Sequence, residues 1–274
     1  MASKPAFQFF NITFPREYVA HVEINRPNKG NSFVQVMWLE MRRVFDQLSY
    51  DPAVRTIVLS GAGEKCFSTG IDIQEAKASL LPAEVSQRDP ARKAVYMRRF
   101  VAEVQDCITA IERCEKPVIA AMHGHALGLS VDLTAATDVR ICSRDAVFSI
   151  KEVDIGLAAD VGTLSRLPRV VGSAGWVKEV ALTARNFGAD EALRMGFVNS
   201  IHENKAATIA AAIGMAAVMA SKSPVAVQGT KELLNWSRDH SVQDGLRYTA
   251  VWNSAALQTA DIPKSFQKQP FSKL

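Results

Sequence analysis

Gly124-His125-Ala126-Leu127-Gly128-Leu129-Ser130-Val131-Asp132-Leu133 decides how this chain is read. It follows an apolar run, residues 117–122, with the length and composition of a buried strand, and Gly128 opens a helix predicted over residues 129–136. Strand, glycine turn and helix start in that order describe an α/β unit. An acid stands inside it. Asp132 falls among apolar helix residues, where loss of water disfavours the charged form and moves a carboxyl pKa toward the range useful for proton transfer. Two more carboxylates bracket Glu152-Val153-Asp154-Ile155-Gly156-Leu157-Ala158-Ala159-Asp160-Val161-Gly162, again among apolar residues and glycines. Asp132, Glu152 and Asp160 together point to proton-transfer chemistry.

Outward from this centre, alternation predicts strands over residues 18–24, 56–60, 139–143 and 147–150, and helical spacing predicts helices over 37–48 and 98–113. Strand and helix alternate to about residue 201, which gives an α/β architecture with its strand-to-helix turns gathered at one edge. Strands then cease: residues 206–221, 224–238 and 242–259 read as helices, with Ser223-Pro224 and Ser241 as starts. The chain therefore divides into a core with the site, residues 1–200, and a helical region, residues 201–274. The alanine-rich faces of that region serve either as cover for the core or as contact between subunits. Residues 73–94 are polar, contain Pro82 and Pro90, and predict a helix-loop flap.

The 274 residues, 48% hydrophobic, suffice for a sizeable core. A net charge of +4, from 32 basic and 28 acidic residues with no basic run, argues against nucleic acid and suits an anionic ligand. The apolar stretch 206–220 is shorter than the roughly 20 residues of a membrane span, so none is expected. Cys66, Cys107, Cys114 and Cys142 lack paired spacing and neighbouring histidines, so free thiols are expected, with no metal centre and no disulfide. The amino terminus has no apolar signal core. The chain ends Ser272-Lys273-Leu274, the tripeptide that a peroxisomal import receptor reads, after an accessible-looking tail at 267–270, and the expected location is the peroxisomal matrix. Neither a G-x-S-x-G nucleophile turn nor a complete dinucleotide fingerprint is present.

A second glycine-marked turn runs from Gly61 to Asp72. Unpaired backbone N–H groups at this turn and at Gly128 can together hold an oxygen that gains negative charge, forming an oxyanion hole. Asp72 and Asp138 sit where aspartate ends or caps structure. Asp154 reads as solvent-facing, and His123 and His125 as pocket packing.

These motifs resemble the crotonase superfamily of CoA-thioester enzymes, and within it the Δ3,5-Δ2,4-dienoyl-CoA isomerases, over nearly the whole chain. Asn25-Arg26-Pro27 with Asn31-Ser32 is similar to the first family signature, and Phe67-Ser68-Thr69-Gly70-Ile71-Asp72 to its first oxyanion turn. Residues 151–164, Arg238-Asp239-His240-Ser241-Val242 and Trp252-Asn253 are similar to the isomerase branch in particular. Hydratases of the superfamily usually have glutamate at the position of Asp132 and Pro-Gly at that of Ala159-Asp160. Family members commonly carry further glycines where this chain has Leu129 and Ser130.

The resemblance implies a ββα spiral core with a C-terminal helical oligomerisation region, in trimers or paired trimers. It implies that Glu152 and Asp160 shuttle a proton between C2 and C6 of a 3,5-dienoyl-CoA in β-oxidation, in an order left open. Asp132 is then a third acid whose charge helps keep one partner protonated. Backbone amides of Ile71 and Leu129 would form the oxyanion hole, and Arg26, Lys29 and Lys231 would meet the CoA phosphates. No cofactor is implied, because CoA belongs to the substrate. A hydratase of the same fold and a catalytically silent acyl-CoA-binding scaffold are the alternatives.

Overall fold

A computed structural model describes residues 7–75 and 82–273. It opens with a strand the sequence reading missed, β1 (Phe10–Arg16), whose residues are mostly exposed and so carry little hydrophobic alternation. It pairs antiparallel with β2 (Val19–Ile24), the strand predicted from alternation. The helix α1 (Gln35–Tyr50) buries Met37, Met41, Val44, Phe45 and Leu48, spaced at helical intervals. Next come β3 (Thr56–Gly61), wholly buried, and the three-residue β4 (Cys66–Ser68).

Beyond the short helix α2 (Ala83–Ser86) lies α3 (Pro90–Arg113), eight residues longer at its start than the spacing predicted. Its early turns are polar and lack the apolar stripe, but Asp89 caps them by accepting from the Arg92 N–H, and Pro90 fits the first helical position. The predicted flap thus becomes partly α2 and the start of α3; residues 76–81 lie outside the described residues.

Then follow β5 (Val118–Met122), β6 (His125–Leu127), α4 (Leu129–Ala135), β7 (Val139–Ser143) and β8 (Val147–Ser149). The strands form two sheets. In the larger, β1-β2-β3-β5-β7 stand in order with β10 (Ser200–His202) beyond β7; in the smaller, β4-β6-β8 stand in order with β9 (Phe187–Gly188) beyond β8. The pairs β3/β4, β5/β6 and β7/β8 each place one strand in the large sheet and the next in the small one, mostly in parallel register. This is the expected ββα spiral. The repeat is hard to see in sequence because β4 and β6, the second strands of the first two pairs, are three residues long, too short to show a period.

The chain continues through α5 (Thr163–Val170), α6 (Ala174–Thr183), β9 (Phe187–Gly188), α7 (Ala189–Arg194) and β10 (Ser200–His202). Rings of Phe148, Phe187, Phe197 and Trp176 pack edge-on or offset across this part of the core.

The division expected at residue 200 does not separate core from appendage. β10 pairs with β7, and α8 (Lys205–Ala220) lays Ala212, Ala216 and Ala220 against Val19, Val58, Ile119 and Ile141 of the large sheet. Small side chains let helix and sheet approach closely, and the Thr56 hydroxyl and Arg55 guanidinium bond to the carbonyls of Ala216 and Ala220. Of the two uses open to this alanine face, cover for the core is the one realised. Beyond α8 follow α9 (Pro224–Ser237), α10 (Val242–Ala256) and α11 (Asp261–Phe266).

Among the described residues no single helix is long and apolar enough to cross a membrane. The four cysteines are free thiols, and no cluster of potential metal ligands is found there. The C-terminal tail is held to the body: Arg55 donates to the carbonyls of Phe271 and Ser272, and Lys264 meets the Ser272 hydroxyl. The stretch expected to be accessible, 267–270, is exposed, as are Ser272 and Lys273, while the Phe271 and Ser272 carbonyls are anchored; Leu274 lies outside the described residues.

Candidate active site

Two turns at the ends of β4 and β6 build the centre of the site. After β4, Gly70 takes φ +93°, a conformation that favours glycine. Phe33 N–H donates to Gly70 O at 2.8 Å and Asp72 N–H to Phe33 O at 2.9 Å, so Ile71 is clamped in a parallel bridge. In such a bridge the middle residue's own N–H faces away from the partner strand. The Ile71 N–H has no partner within the chain among the described residues.

After β6, Gly128 takes φ +53° and ψ −120°, and its N–H donates to Ser149 O. The helix starts at once, leaving the Leu129 N–H, at its first position, without an intrahelical partner. The two turns touch: a Cβ on Gly70 would stand 3.5 Å from Leu129 N. Both expected oxyanion donors are thus free and on adjacent turns.

Leu129 and Ser130, which make this turn bulkier than usual, do not obstruct it. The Leu129 side chain joins the main hydrophobic core, and the Ser130 hydroxyl donates to Ser68 O at 2.6 Å.

The acids come from three elements. Asp132, three residues past Leu129 in α4, is completely buried, and its Oδ1 accepts from the Thr163 N–H that opens α5 at 2.5 Å. Its Oδ2 has no partner among the described residues. Burial pushes the Asp132 carboxyl up to about 7, helped by the neighbouring Glu152 charge and opposed by Thr163. Glu152 opens a 3-10 turn just past β8, 7% exposed, its carboxyl raised first by burial and then by Asp160. Asp160, on the segment before α5, is the most open of the three, and partial burial raises it too.

Asp132 is the most deeply buried of the three, and its carboxyl is raised in part by the charge of Glu152, so the two acids are electrostatically coupled.

Asp160 stands between two cavities. One is apolar, about 90 Å³, walled by Phe33, Trp38, Ile71, Phe100, Val104 and Leu157. The other is a polar cleft of about 580 Å³ that includes Gln105, Glu112, Arg166 and Arg238. Gln105 donates to Asp160 O, and Arg166 and Arg238 both pair with Glu112, fixing the wall on which Asp160 sits. Gln105, Glu112 and Arg166 were missed in the sequence, where nothing marks α3 and α5 as neighbours; Arg238, quoted there only for its likeness to the isomerase branch, lies just past α9.

The basic residues expected at CoA phosphates divide. Lys231 is buried; its ammonium bonds Asp138 at 2.8 Å and Lys116 O at 3.1 Å, so it is committed to the fold and does not serve a phosphate. Arg26 is likewise engaged, donating to Asp72, Ser32 O and the Ser32 hydroxyl. Lys29 alone of the three is exposed. Asp72 and Asp138 have the structural roles expected: Asp72 also accepts from Gln74 N–H, and Asp138 from Val118 N–H. His123 is buried with its ring nitrogen against Gly63 O, whereas His125 is exposed and packs no pocket.

The site brings together two free backbone N–H groups on adjacent turns, a carboxyl beside one of them and another in the wall of an apolar cavity. Residues 15–269 match the family described as enoyl-CoA hydratase/isomerase. The chain is 47% identical, over 96% of its length and 79% of the other, to the mitochondrial Δ3,5-Δ2,4-dienoyl-CoA isomerase of Homo sapiens. It is 44% identical to the peroxisomal Δ3,5-Δ2,4-dienoyl-CoA isomerase of Arabidopsis thaliana, over 92% of this chain and 89% of that one. Its fold matches the crystal structure of an enoyl-CoA hydratase from Bacillus anthracis with TM-score 0.85 and 26% identity, covering 97% and 99% of the two chains.

Proposed function

The chain belongs to the enoyl-CoA hydratase/isomerase family, and we propose that within it the protein is a Δ3,5-Δ2,4-dienoyl-CoA isomerase of fatty-acid β-oxidation. One observation carries this reading: a second carboxylate, Asp160, stands in the wall of the apolar cavity, apart from the acid at the oxyanion turn.

The chemistry follows from that separation. With the thioester oxygen on the amides of Ile71 and Leu129, C2 lies nearest Glu152, whose Oε1 is beside Gly128. The Glu152 carboxylate takes the C2 proton, and the C–H electron pair moves into a dienolate whose oxygen is held by the two N–H groups. When the carbonyl re-forms, C2=C3 and C4=C5 replace C3=C4 and C5=C6, and C6 takes a proton from Asp160. An acyl chain in the apolar cavity removes water from Asp160, raising its pKa further and keeping that proton in place until it is needed. The raised Asp132 carboxyl limits the negative charge that builds up beside Glu152. CoA belongs to the substrate, so the reaction needs no separate cofactor. Lys29 is the remaining candidate for a phosphate contact.

Hydration of a 2-enoyl-CoA is the weaker reading: it needs a water held against C3, and Asp132 is short, fully buried and bonded to Thr163. Exposed Leu234, Val242, Leu246, Val251 and Leu257 on and just past α9 and α10 favour self-association, in trimers or paired trimers. Ser272-Lys273-Leu274 and the Arabidopsis relative favour a peroxisomal location, while the human relative is named as mitochondrial. An import receptor would first have to draw Phe271 and Ser272 away from Arg55.

The test is to give purified protein a 3,5-dienoyl-CoA and, separately, a 2-enoyl-CoA. Formation of the conjugated 2,4-diene with little hydration supports the isomerase. Hydration alone moves the assignment to hydratase, and binding without either reaction favours a silent scaffold.

A further inference from the structure

We propose that Ser130 is a positioning residue of the oxyanion hole, setting the separation between its two backbone donors. Its hydroxyl donates to Ser68 O at 2.6 Å, across 62 positions of sequence, and both residues are wholly buried. Each end of this bond lies next to a donor. Ser130 directly follows Leu129. Ser68 precedes Thr69, Gly70 and Ile71, and controls their path: its own hydroxyl accepts from Gly70 N–H at 3.2 Å and donates to Asn31 O at 2.8 Å.

The Asn31 end is itself immobile. Asn31 is fully buried with φ +55°, its amide nitrogen bonds the carbonyls of Ala62, Cys66 and Phe67, and its Oδ1 accepts from Arg26 N–H. One turn is therefore tied to a rigid network, and the Ser130 hydroxyl ties the other turn to the first.

Backbone pairing alone fixes this separation less well. The register of β4 against β6 is irregular between Cys66 and Ser68, and the two strands have no ladder beyond Ser68↔Ala126. A donor displaced by a fraction of an ångström loses much of its value to an oxygen that gains charge only in the transition state. The Ser130 hydroxyl supplies the link where the ladder ends. Thr134, whose hydroxyl donates to Ser130 O at 2.7 Å, holds the same helix turn from the next turn along.

This inference rests on the thioester reading of the site, and the experiment separates the two. Ser130→Ala and Ser130→Gly both remove the hydroxyl; glycine also covers the case in which alanine fails to fold. Three quantities are read: kcat and KM for a 3,5-dienoyl-CoA, melting temperature, and the pH at which bound acetoacetyl-CoA forms its enolate, followed by ultraviolet absorbance. The enolate measures the donors without the proton shuttle.

For both variants kcat falls about tenfold with KM changed by less than about twofold, and enolate formation moves about one pH unit upward. Folded variants with wild-type kcat and wild-type enolate formation, changed only in melting temperature, overturn the proposal and leave Ser130 as a partner for a buried carbonyl. Loss of folding in both variants overturns it as well. Wild-type protein that neither isomerises the diene nor enolises the probe overturns the thioester reading instead.

Discussion

A Cβ on Gly128 would stand 3.4 Å from Oε1 of Glu152, in van der Waals contact with it. The backbone that supplies one proposed oxyanion donor therefore also forms the floor beneath the carboxylate. With φ +53° and ψ −120°, the position is strained for any residue that has a Cβ.

Gly128→Ala is expected to lose at least about a hundredfold in kcat, because it strains the turn that carries the donor beside the base, and about 1–3 kcal/mol of stability from the same backbone strain. Circular dichroism and chemical denaturation separate the two effects. A variant with wild-type kcat contradicts the placement of Glu152 beside the donor.

Asp132→Asn tests the buried acid. An unfolded aspartate ionises near 3.8, whereas in the fold Asp132 is held up to about 7. Below the lower value both states are protonated and the group has no effect on stability. As pH rises through the interval, the unfolded chain ionises and the folded one resists, so wild-type stability falls, and above about 7 the full penalty, about 4 kcal/mol, is present. Asparagine keeps an acceptor for Thr163 but brings an amide group to the unpartnered Oδ2 position, at a cost of about 1–2 kcal/mol. The variant is expected to be more stable than wild type by about 2 kcal/mol near pH 8, with the gain lost near about pH 5 and a deficit of about 1–2 kcal/mol below about pH 4. Urea denaturation at several pH values checks it; a gain that grows toward acid pH contradicts the assignment.

Much of this was legible in the sequence, for physical reasons that differ between parts. The buried strands and α1 declare themselves through apolar spacing. The three carboxylates do so because acids among glycines and apolar residues are costly without a use. β1 and the first turns of α3 were not legible, because exposed elements carry no apolar pattern and are fixed by pairing and by the Asp89 cap. α8 could be read as helix but not as core, since an alanine face suits a sheet or another subunit equally. Lys231 misled because sequence shows a lysine's charge but not Asp138, 93 positions away. Ser130 showed only as a lost glycine, and its bond to Ser68 exists only after folding.

Lys231→Met is expected to leave acyl-CoA affinity within about twofold of wild type while costing about 3 kcal/mol of stability, since it strands the Asp138 carboxylate and a backbone carbonyl. Calorimetry with an acyl-CoA beside thermal denaturation checks both. A large loss of affinity in a stable variant would restore Lys231 to the CoA site.

The central claim is that two separate carboxylates move the proton. It is tested by following 2,4-diene absorbance from a 3,5-dienoyl-CoA with wild type, Glu152→Gln and Asp160→Asn, beside substrate affinity. The account predicts that each variant still binds and that each loses about a hundredfold or more in kcat. An Asp160→Asn enzyme that forms the diene at the wild-type rate would contradict it, because Glu152 alone would then serve both C2 and C6.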